Sequence, residues 1–371
     1  MKITIERAAL LRALAHVQSV VERRNTIPIL ANVLLEAKGG ALGLTATDMD
    51  LEIVERATAE VGQDGSVTAP AHTFYDIVRK LPEGSQVRLE TSERAQLQVR
   101  CGRSLFTLAT LPPEDFPVMT GGDLPNEFSV SAEELRGLVD RTSFAISTEE
   151  TRYYLNGIYL HAADHDGVKL LRAAATDGHR LARVEMALPE GASSMPGVIV
   201  PRKAVMEVRK LIDEAAGSVR IALSETRVRF GFDDILLTSK LIDGTFPDYE
   251  RVIPQNNDKI MEVPRGEFSE AVDRVSTIST EKSRAVKLSL RDGALTLSAS
   301  SPESGSATEA LEVKYNSGAL EIGFNARYLL DITRQIEGEF AQFAMSDAAS
   351  PTIVRDVADA SALYVLMPMR V

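Results

Sequence analysis

The chain is 371 residues long, 44% apolar and 25% charged, with a formal net charge of −12; this is the profile of a globular protein with real cores and two or three domains. Its single cysteine, Cys101, excludes internal disulfides and multi-cysteine metal clusters, and no apolar run approaches the roughly 18 residues of a membrane span. The opening MKITIERAAL lacks a signal-peptide core, so the expectation is a reducing, cytoplasmic setting with no membrane partner.

Residues 3–5 alternate as a short strand, and a helix is predicted over 6–24, with Leu10, Leu14, Val17 and Val21 on one face. After alternating runs such as LGLTATDMDLEIV (42–54), VTAPAHTFYDIV (67–78) reads strand, joint, helix. That helix is predicted over 70–81 with Pro70 in its first turn, where a missing N–H costs nothing. QVRLE, AQLQVR and SLFTLAT follow as antiparallel strands, and GGDLPN (121–126) is a joint. The same order then begins again. FSVSAEELRGLV (128–139) carries a helix over 131–142, LLRAAATDGHRLARV (170–184) matches 42–54, and VIVPRKAVMEVR (198–209) starts a helix over 201–214 at Pro201. Strands VRIAL, RVRFGF and ILLTSK close this second pass. After PQNNDK (254–259) comes a third, with MEVPRGEFSEAV (261–272) opening a helix over 264–284, then LTLSASSPESGS (295–306). It ends with IGFNARYLLDIT (322–333), whose helix over 325–337 is capped by Asn325.

Three copies are thus superimposable. Ile3, Phe128 and Met261 coincide, as do Ile5, Val130 and Val263, then Leu10, Leu135 and Phe268, then Leu14, Val139 and Val272, at offsets of 125 and 133 residues. The expected fold class is α+β, with three similar domains at 1–125, 126–256 and 257–371. Each holds two helix-plus-antiparallel-sheet halves, one helix covering one face of each sheet.

Ala-Thr-Asp occurs at the same station in two copies, once followed by Gly178, His179 and Arg180. Asp177 and His179 could form an acid–base couple. The repeat points instead to a turn in which Asp177 accepts backbone N–H groups and Gly178 supplies an unusual φ. Catalysis needs a nucleophile, a second acid or base, or a metal within reach. The other histidines, His16, His72, His161 and His165, lack ligand spacing, and no GxxxxGK[ST], GxSxG, GxGxxG or HExxH occurs. A non-catalytic protein without cofactor or metal is expected; a protein-binding repeat scaffold and an acid–base enzyme using Asp177 and His179 are the alternatives.

In RRNTIPILANVLL (23–35), TRYYLNGIYL (151–160), ATDGHRLA (175–182), VPRK (200–203), TSKLIDGTFPDYERVIP (238–254), IGFNARYLLD (322–331) and YVLMPMRV (364–371), the chain resembles the bacterial replicative sliding clamps, the beta subunits of DNA polymerase III. The resemblance implies a head-to-tail homodimeric ring of six similar domains, with the DNA-clamp fold, helices lining the hole and sheets outside. Such a ring encircles duplex DNA without sequence preference. It tethers the replicative polymerase and other clamp-binding proteins through an apolar peptide pocket, and a separate clamp loader places it on DNA. The charge distribution suits that role: the six predicted helices hold 18 Lys/Arg and 15 Asp/Glu, leaving −15 on the rest of the chain. A closed ring keeps its DNA by topology rather than by salt-sensitive phosphate contacts.

Residue by residue, the resemblance places the partner pocket at Leu155, Thr176, Gly178, His179, Arg180, Leu181, Pro247, Arg251, Val252, Val365, Met367, Pro368, Met369 and Arg370. The apolar ending VLMPMRV is unusual for a chain terminus, and methionines adapt to varied ligands. Implied DNA contacts are Arg24, Arg79, Tyr153, Tyr154, Arg202, Lys203 and Lys210; the implied dimer contact sets Phe106 and Leu108 against the partner's third domain near Arg274 and Ile278. His72 and Glu149 depart from the family pattern, which has an arginine and an amide there.

Overall fold

The computed structural model describes residues 1–24, 26–92, 96–119, 122–215, 217–279 and 284–370. Among them the α-helices are α1 (Arg7–Gln18), α2 (Ala71–Lys80), α3 (Ala132–Ser143), α4 (Arg202–Ile212), α5 (Arg265–Ser276) and α6 (Ala326–Thr333). Each lies where the sequence predicts one; α3 is shifted by a residue and the others are shorter. The predicted 6–24 helix stops at Gln18 because Ser19 turns back, its N–H and its hydroxyl both donating to the His16 carbonyl at 3.2 and 2.6 Å. Val20 and Val21 stay buried without being helical, so apolar periodicity outruns the helix. The predicted 264–284 helix ends at Ser276, and residues 280–283 lie outside the described residues. Pro70 and Pro201 do not enter their helices; each ends a strand one residue before α2 or α4. Asn325 caps α6, its Oδ1 accepting the Arg327 N–H at 2.9 Å. Ser131 and Glu134 form a reciprocal capping box on α3.

The chain divides into two compact units: Met1–Leu135, Pro189–Pro196 and Lys203–Leu241; and Arg136–Leu188, Gly197–Arg202 and Ile242–Val371. In the first, a five-stranded sheet runs Glu60–Gln63, Lys2–Glu6, Gln86–Thr91, Gln96–Cys101, Ser104–Ala109. An eight-stranded sheet runs Asn126–Ser131, Ser218–Leu223, Arg227–Phe232, Ile235–Lys240, Leu51–Thr58, Ala41–Thr47, Asn32–Lys38, Gly65–Pro70. In the second unit the eight-stranded sheet runs Val198–Pro201, Gly157–His165, Val168–Thr176, Arg180–Ala187, Ala362–Leu366, Thr352–Asp356, Phe340–Met345, Lys259–Pro264. A four-stranded sheet runs Gly305–Glu312, Ala294–Ser301, Ala285–Arg291, Leu320–Asn325.

Each eight-stranded sheet is two four-stranded sheets zipped edge to edge. Leu51–Thr58 pairs antiparallel with Ile235–Lys240, Ile53 opposite Leu237, and Arg180–Ala187 pairs antiparallel with Ala362–Leu366, Leu181 opposite Val365. In both cases the first half of one repeat joins the second half of the next. Among the described residues, the strands that correspond to these joining edges but are paired on one side only are Ser104–Ala109, from the first repeat, and Gly305–Glu312, from the third.

The alternation that predicts the strands is what builds the cores. In RVRFGF, Val228, Phe230 and Phe232 are buried between less buried neighbours. Leu10, Leu14 and Val17 of α1 are fully buried, and the Cys101 thiol is buried and free. Among the described residues no helix is long and apolar enough to cross a membrane, and no cluster of three His, Cys, Asp or Glu side chains could hold a metal ion.

Candidate functional site

The turn between strands Val168–Thr176 and Arg180–Ala187 is built from its own side chains. The Thr176 hydroxyl donates to the Arg180 carbonyl at 2.7 Å and accepts the Gly178 N–H at 3.1 Å. Asp177 Oδ1 accepts the N–H groups of His179 and Arg180 at 2.9 and 3.1 Å, an Asx turn. Gly178 has φ +86°, and a Cβ there would stand 2.5 Å from the Arg152 guanidinium. Asp177 is therefore spent on the backbone and on Arg180, whose Nε donates to its Oδ2 at 3.1 Å. It is not poised against the exposed His179 imidazole.

Arg180 is the centre of the arrangement. Only 7% exposed, it donates to Asp331 Oδ2 at 2.7 Å and to the Phe144 carbonyl at 2.6 Å. Its guanidinium lies over the rings of Tyr328 and Phe144, at 4.3 and 5.0 Å from the centroids. His179 stacks on the same Tyr328 at 6.3 Å. Burial holds the Tyr328 phenol above its ordinary value. A cleft of about 440 Å³ opens here, lined by Phe144, Asp177, His179, Arg180, Tyr328 and Asp331 among others.

Immediately beyond Arg180 the surroundings turn apolar. Leu181 and Val365, opposite each other across the zipped strands, join Leu155, Ala174, Ile199, Ile353, Leu363, Phe246 and Tyr249 in one buried cluster. Phe246 and Tyr249 belong to a segment whose Pro247, Arg251 and Val252 stay exposed, Val252 at 51%. Arg251 Nε is held by Asp248 at 2.7 Å. After strand Ala362–Leu366, Met367 emerges 40% exposed while its N–H donates to the His179 carbonyl at 3.0 Å. The Met369 N–H donates to Gly323 O at 2.8 Å, so the chain end returns to strand Leu320–Asn325. Pro368 and Met369 are half-buried and Arg370 is exposed. The exposed Val252 and Met367 thus follow, within three residues, the buried Tyr249 and Val365 of this cluster, and Arg180 directly precedes its Leu181.

The other expected residues fare unevenly. Arg24 and Arg202 are exposed, as is Tyr153, which meets the half-buried Tyr154 edge to face at 5.8 Å. Arg79 pairs with Asp76 at 3.0 Å and Lys210 with the buried Glu207 at 2.8 Å. The Lys203 ammonium is held by Asp48 and Glu22; burial would lower its pKa, but these carboxylates raise it. Three of the expected cations are thus already partnered. Leu108 is buried in its own sheet and Phe106 half-buried, whereas Leu105 is 49% exposed on the same edge strand. Arg274 grips Glu309 of the other unpartnered edge strand at 2.7 Å, and Ile278 is half-buried.

Both departures from the family pattern have local partners. His72 bridges α2 to the end of α1, with Nδ1 2.8 Å from Gln18 Oε1 and Nε2 2.9 Å from the Val21 carbonyl. Glu149 is gripped by Arg152 through both oxygens, at 2.8 and 2.6 Å, which holds its carboxyl below the ordinary value. Arg152 also donates to the Asp177 carbonyl at 3.2 Å. Sequence reasoning missed Phe144, Arg152, Tyr328 and Asp331. Tyr328 and Asp331 stand one α-helical turn apart beside the Asn325 cap, a signal that was readable; Phe144 contributes its ring and a backbone carbonyl, and no pattern reveals the second.

Residues 1–120, 129–248 and 250–370 match the N-terminal, central and C-terminal domains of the DNA polymerase III beta subunit family. The beta sliding clamp of Caulobacter vibrioides is 55% identical over 372 residues, with 100% of both chains covered. That of Pseudomonas aeruginosa is 43% identical over 371 residues, again with 100% of both covered. Among solved structures, a sliding clamp from Bartonella birtlesii bound to griselimycin superposes with a TM-score of 0.98 at 52% identity, covering 100% of each chain.

Proposed function

The chain belongs to the DNA polymerase III beta subunit family, the beta sliding clamps, and from that premise we propose that two copies close head to tail into a ring around duplex DNA. The ring performs no chemistry. It tethers the replicative polymerase and other partners by short peptides seated in the groove of Leu155, Leu181, Val252, Val365 and Met367, bounded by His179 and Arg180, with Pro247, Arg251 and the Pro368–Arg370 ending at its margins. A polymerase that lets go rebinds before it diffuses away, because tethering raises its effective concentration. A separate loader opens the ring, and the setting is the cytoplasm.

The observation that carries ring closure is the count of edges. Two junctions inside the chain zip the first half of one repeat to the second half of the next, and among the described residues Ser104–Ala109 and Gly305–Glu312 are the corresponding edges left over. A second copy supplies each with its partner twice, a closed heterologous arrangement that leaves neither edge bare. Domains at 1–125, 126–256 and 257–371 follow from the same periodicity. The exposed Leu105, with Phe106 and Leu108 on the same strand, belongs to this contact, and the surface it meets on the second copy is the third domain near Arg274 and Ile278. Arg24, Arg202, Tyr153 and Tyr154 are the DNA contacts we retain foremost; Arg79, Lys203 and Lys210 add a weaker field because acidic neighbours already neutralise them.

Retention on DNA tests the ring. Once loaded, the protein stays on closed circular duplex and runs off the same duplex after linearisation. Equal loss from both forms would remove encirclement and leave a protein-binding scaffold.

A further inference from the structure

Beside Tyr249 lies a half-buried histidine. His161, on strand Gly157–His165, sits opposite Arg172 in register. Its ring stacks on Tyr159 (centroids 4.6 Å, 24°), which stacks in turn on Phe246 (4.9 Å, 8°). Nδ1 is 2.9 Å from the Ala162 carbonyl. A carbonyl only accepts, so Nδ1 carries the proton and Nε2 offers a lone pair. That lone pair faces the Tyr249 hydroxyl at 2.9 Å. Burial pushes the phenol up to about 12, so it stays protonated and donates. The next residue, Glu250, pairs with Arg172, which Glu185 holds at 2.9 Å; Arg183 approaches Glu185 at 3.5 Å. Tyr249 is therefore the inward pin of the short 3₁₀ turn Tyr249–Val252, Glu250 ties it to Arg172 from the surface, and Arg251 and Val252 are exposed without such a tie to the sheet. So short a turn has little of its own to fix it.

We propose that His161 is a positioning residue of the partner groove: its neutral imidazole, acting through Tyr249, holds the turn Tyr249–Val252 so that Val252 and Arg251 present a set wall to an incoming apolar peptide. This rests on the groove reading given under Proposed function. A second proton on His161 would force the Tyr249 hydroxyl to turn from donor to acceptor and would place a positive charge beside Arg172. Burial first, and Arg172 after it, hold the imidazole below its ordinary value, against the Ala162 carbonyl and Glu250. The wall is therefore set at neutral pH and slackens as the solution becomes acidic.

The test is calorimetric titration of the full chain with griselimycin between about pH 5 and pH 8, comparing the native protein with His161→Ala, His161→Gln and Tyr249→Phe. His161→Ala and Tyr249→Phe each weaken binding about tenfold at neutral pH, the loss of one buried hydrogen bond. His161→Gln, whose amide oxygen accepts at every pH, keeps neutral affinity and loses part of the decline in acid. The quantity read is the difference between the native protein and His161→Gln, in which every group common to the two cancels. Native-like binding by Tyr249→Phe, or parallel acid profiles for the native protein and His161→Gln, overturns the proposal. Should His161→Ala lose its native circular dichroism, the other two variants decide. No griselimycin binding by the native protein at any pH defeats the groove reading itself, and this proposal with it.

Discussion

The turns Thr47–Leu51 and Thr176–Arg180 use one backbone device to carry different side chains. In the first, the Thr47 hydroxyl donates to Leu51 O at 2.9 Å and accepts the Met49 N–H at 3.0 Å, while Asp48 Oδ1 accepts from Asp50 and Leu51 at 2.9 and 2.7 Å. Every bond has its counterpart in the second, and Met49 stands at φ +80° where Gly178 stands at +86°. The Lys240 N–H donates to Asp50 O at 2.8 Å as the Met367 N–H donates to His179 O. At the first junction the equivalent side chains are an exposed ion pair, Asp50–Lys240 at 2.9 Å. At the second they are His179 and Met367, and Arg180 replaces Leu51. The zipped sheet is common to both; what differs is a handful of side chains laid over it, and the proposed groove rests on them. The third copy keeps the hydroxyl, Ser301 Oγ accepting the Glu303 N–H at 3.4 Å. It has Pro302 in place of the aspartate, and among the described residues the strand that follows it keeps an unpaired edge.

The comparison breaks most readily at Arg180. Arg180→Ala leaves Asp177 and Asp331 without their shared cation and strips the packing from Tyr328. It should destabilise the second unit by about 3–5 kcal/mol, as removal of one member of a buried charged cluster does, and abolish griselimycin binding; denaturant melts and calorimetry read both. At the first junction the titratable element is His16, which faces Glu55 Oε2 at 2.7 Å and Glu214 Oε1 at 3.0 Å. With a carboxylate at each ring nitrogen, both nitrogens must donate. Burial opposes the charge, but the two glutamates outweigh it and raise the pKa above the ordinary 6.5. The stabilisation is then full below 6.5 and lost as pH rises through the raised folded value. The melting temperature of the native protein should fall over that alkaline-side window, and that of His16→Gln should stay flatter.

Smaller effects of opposite sign come from the residue at positive φ. Gly178→Ala should cost, and Met49→Gly should gain, about 1 kcal/mol each, since only the second relieves a side chain held in the left-handed region. Smallest of all, Asp50→Ala deletes an exposed ion pair and should change stability by about 0.5 kcal/mol or less, leaving griselimycin affinity untouched.

The repeat, the α+β class and the helix positions were legible because they rest on local periodicity: alternation in RVRFGF, four-residue spacing in α1, the cap at Asn325. Helix ends were not, since Val20 and Val21 continue the apolar pattern after Ser19 has closed the helix. The turn at Asp177 was legible from its chemistry and from its twin at Asp48. What lay beyond the sequence were contacts between distant segments, such as Arg180 with Asp331, 151 residues away, His161 with Tyr249, 88 residues away, and the joining of half-sheets from successive repeats. Nothing in local spacing encodes which edge meets which.

The central claim is that one junction binds partners and its twin does not. Hydrogen exchange on the full chain, with and without saturating griselimycin, tests it directly. Slowed exchange should appear at 176–181, 249–252 and 365–370 with one equivalent bound per chain, and none at 47–51 or 240–242. Protection at both junctions, or two equivalents per chain, would contradict the account.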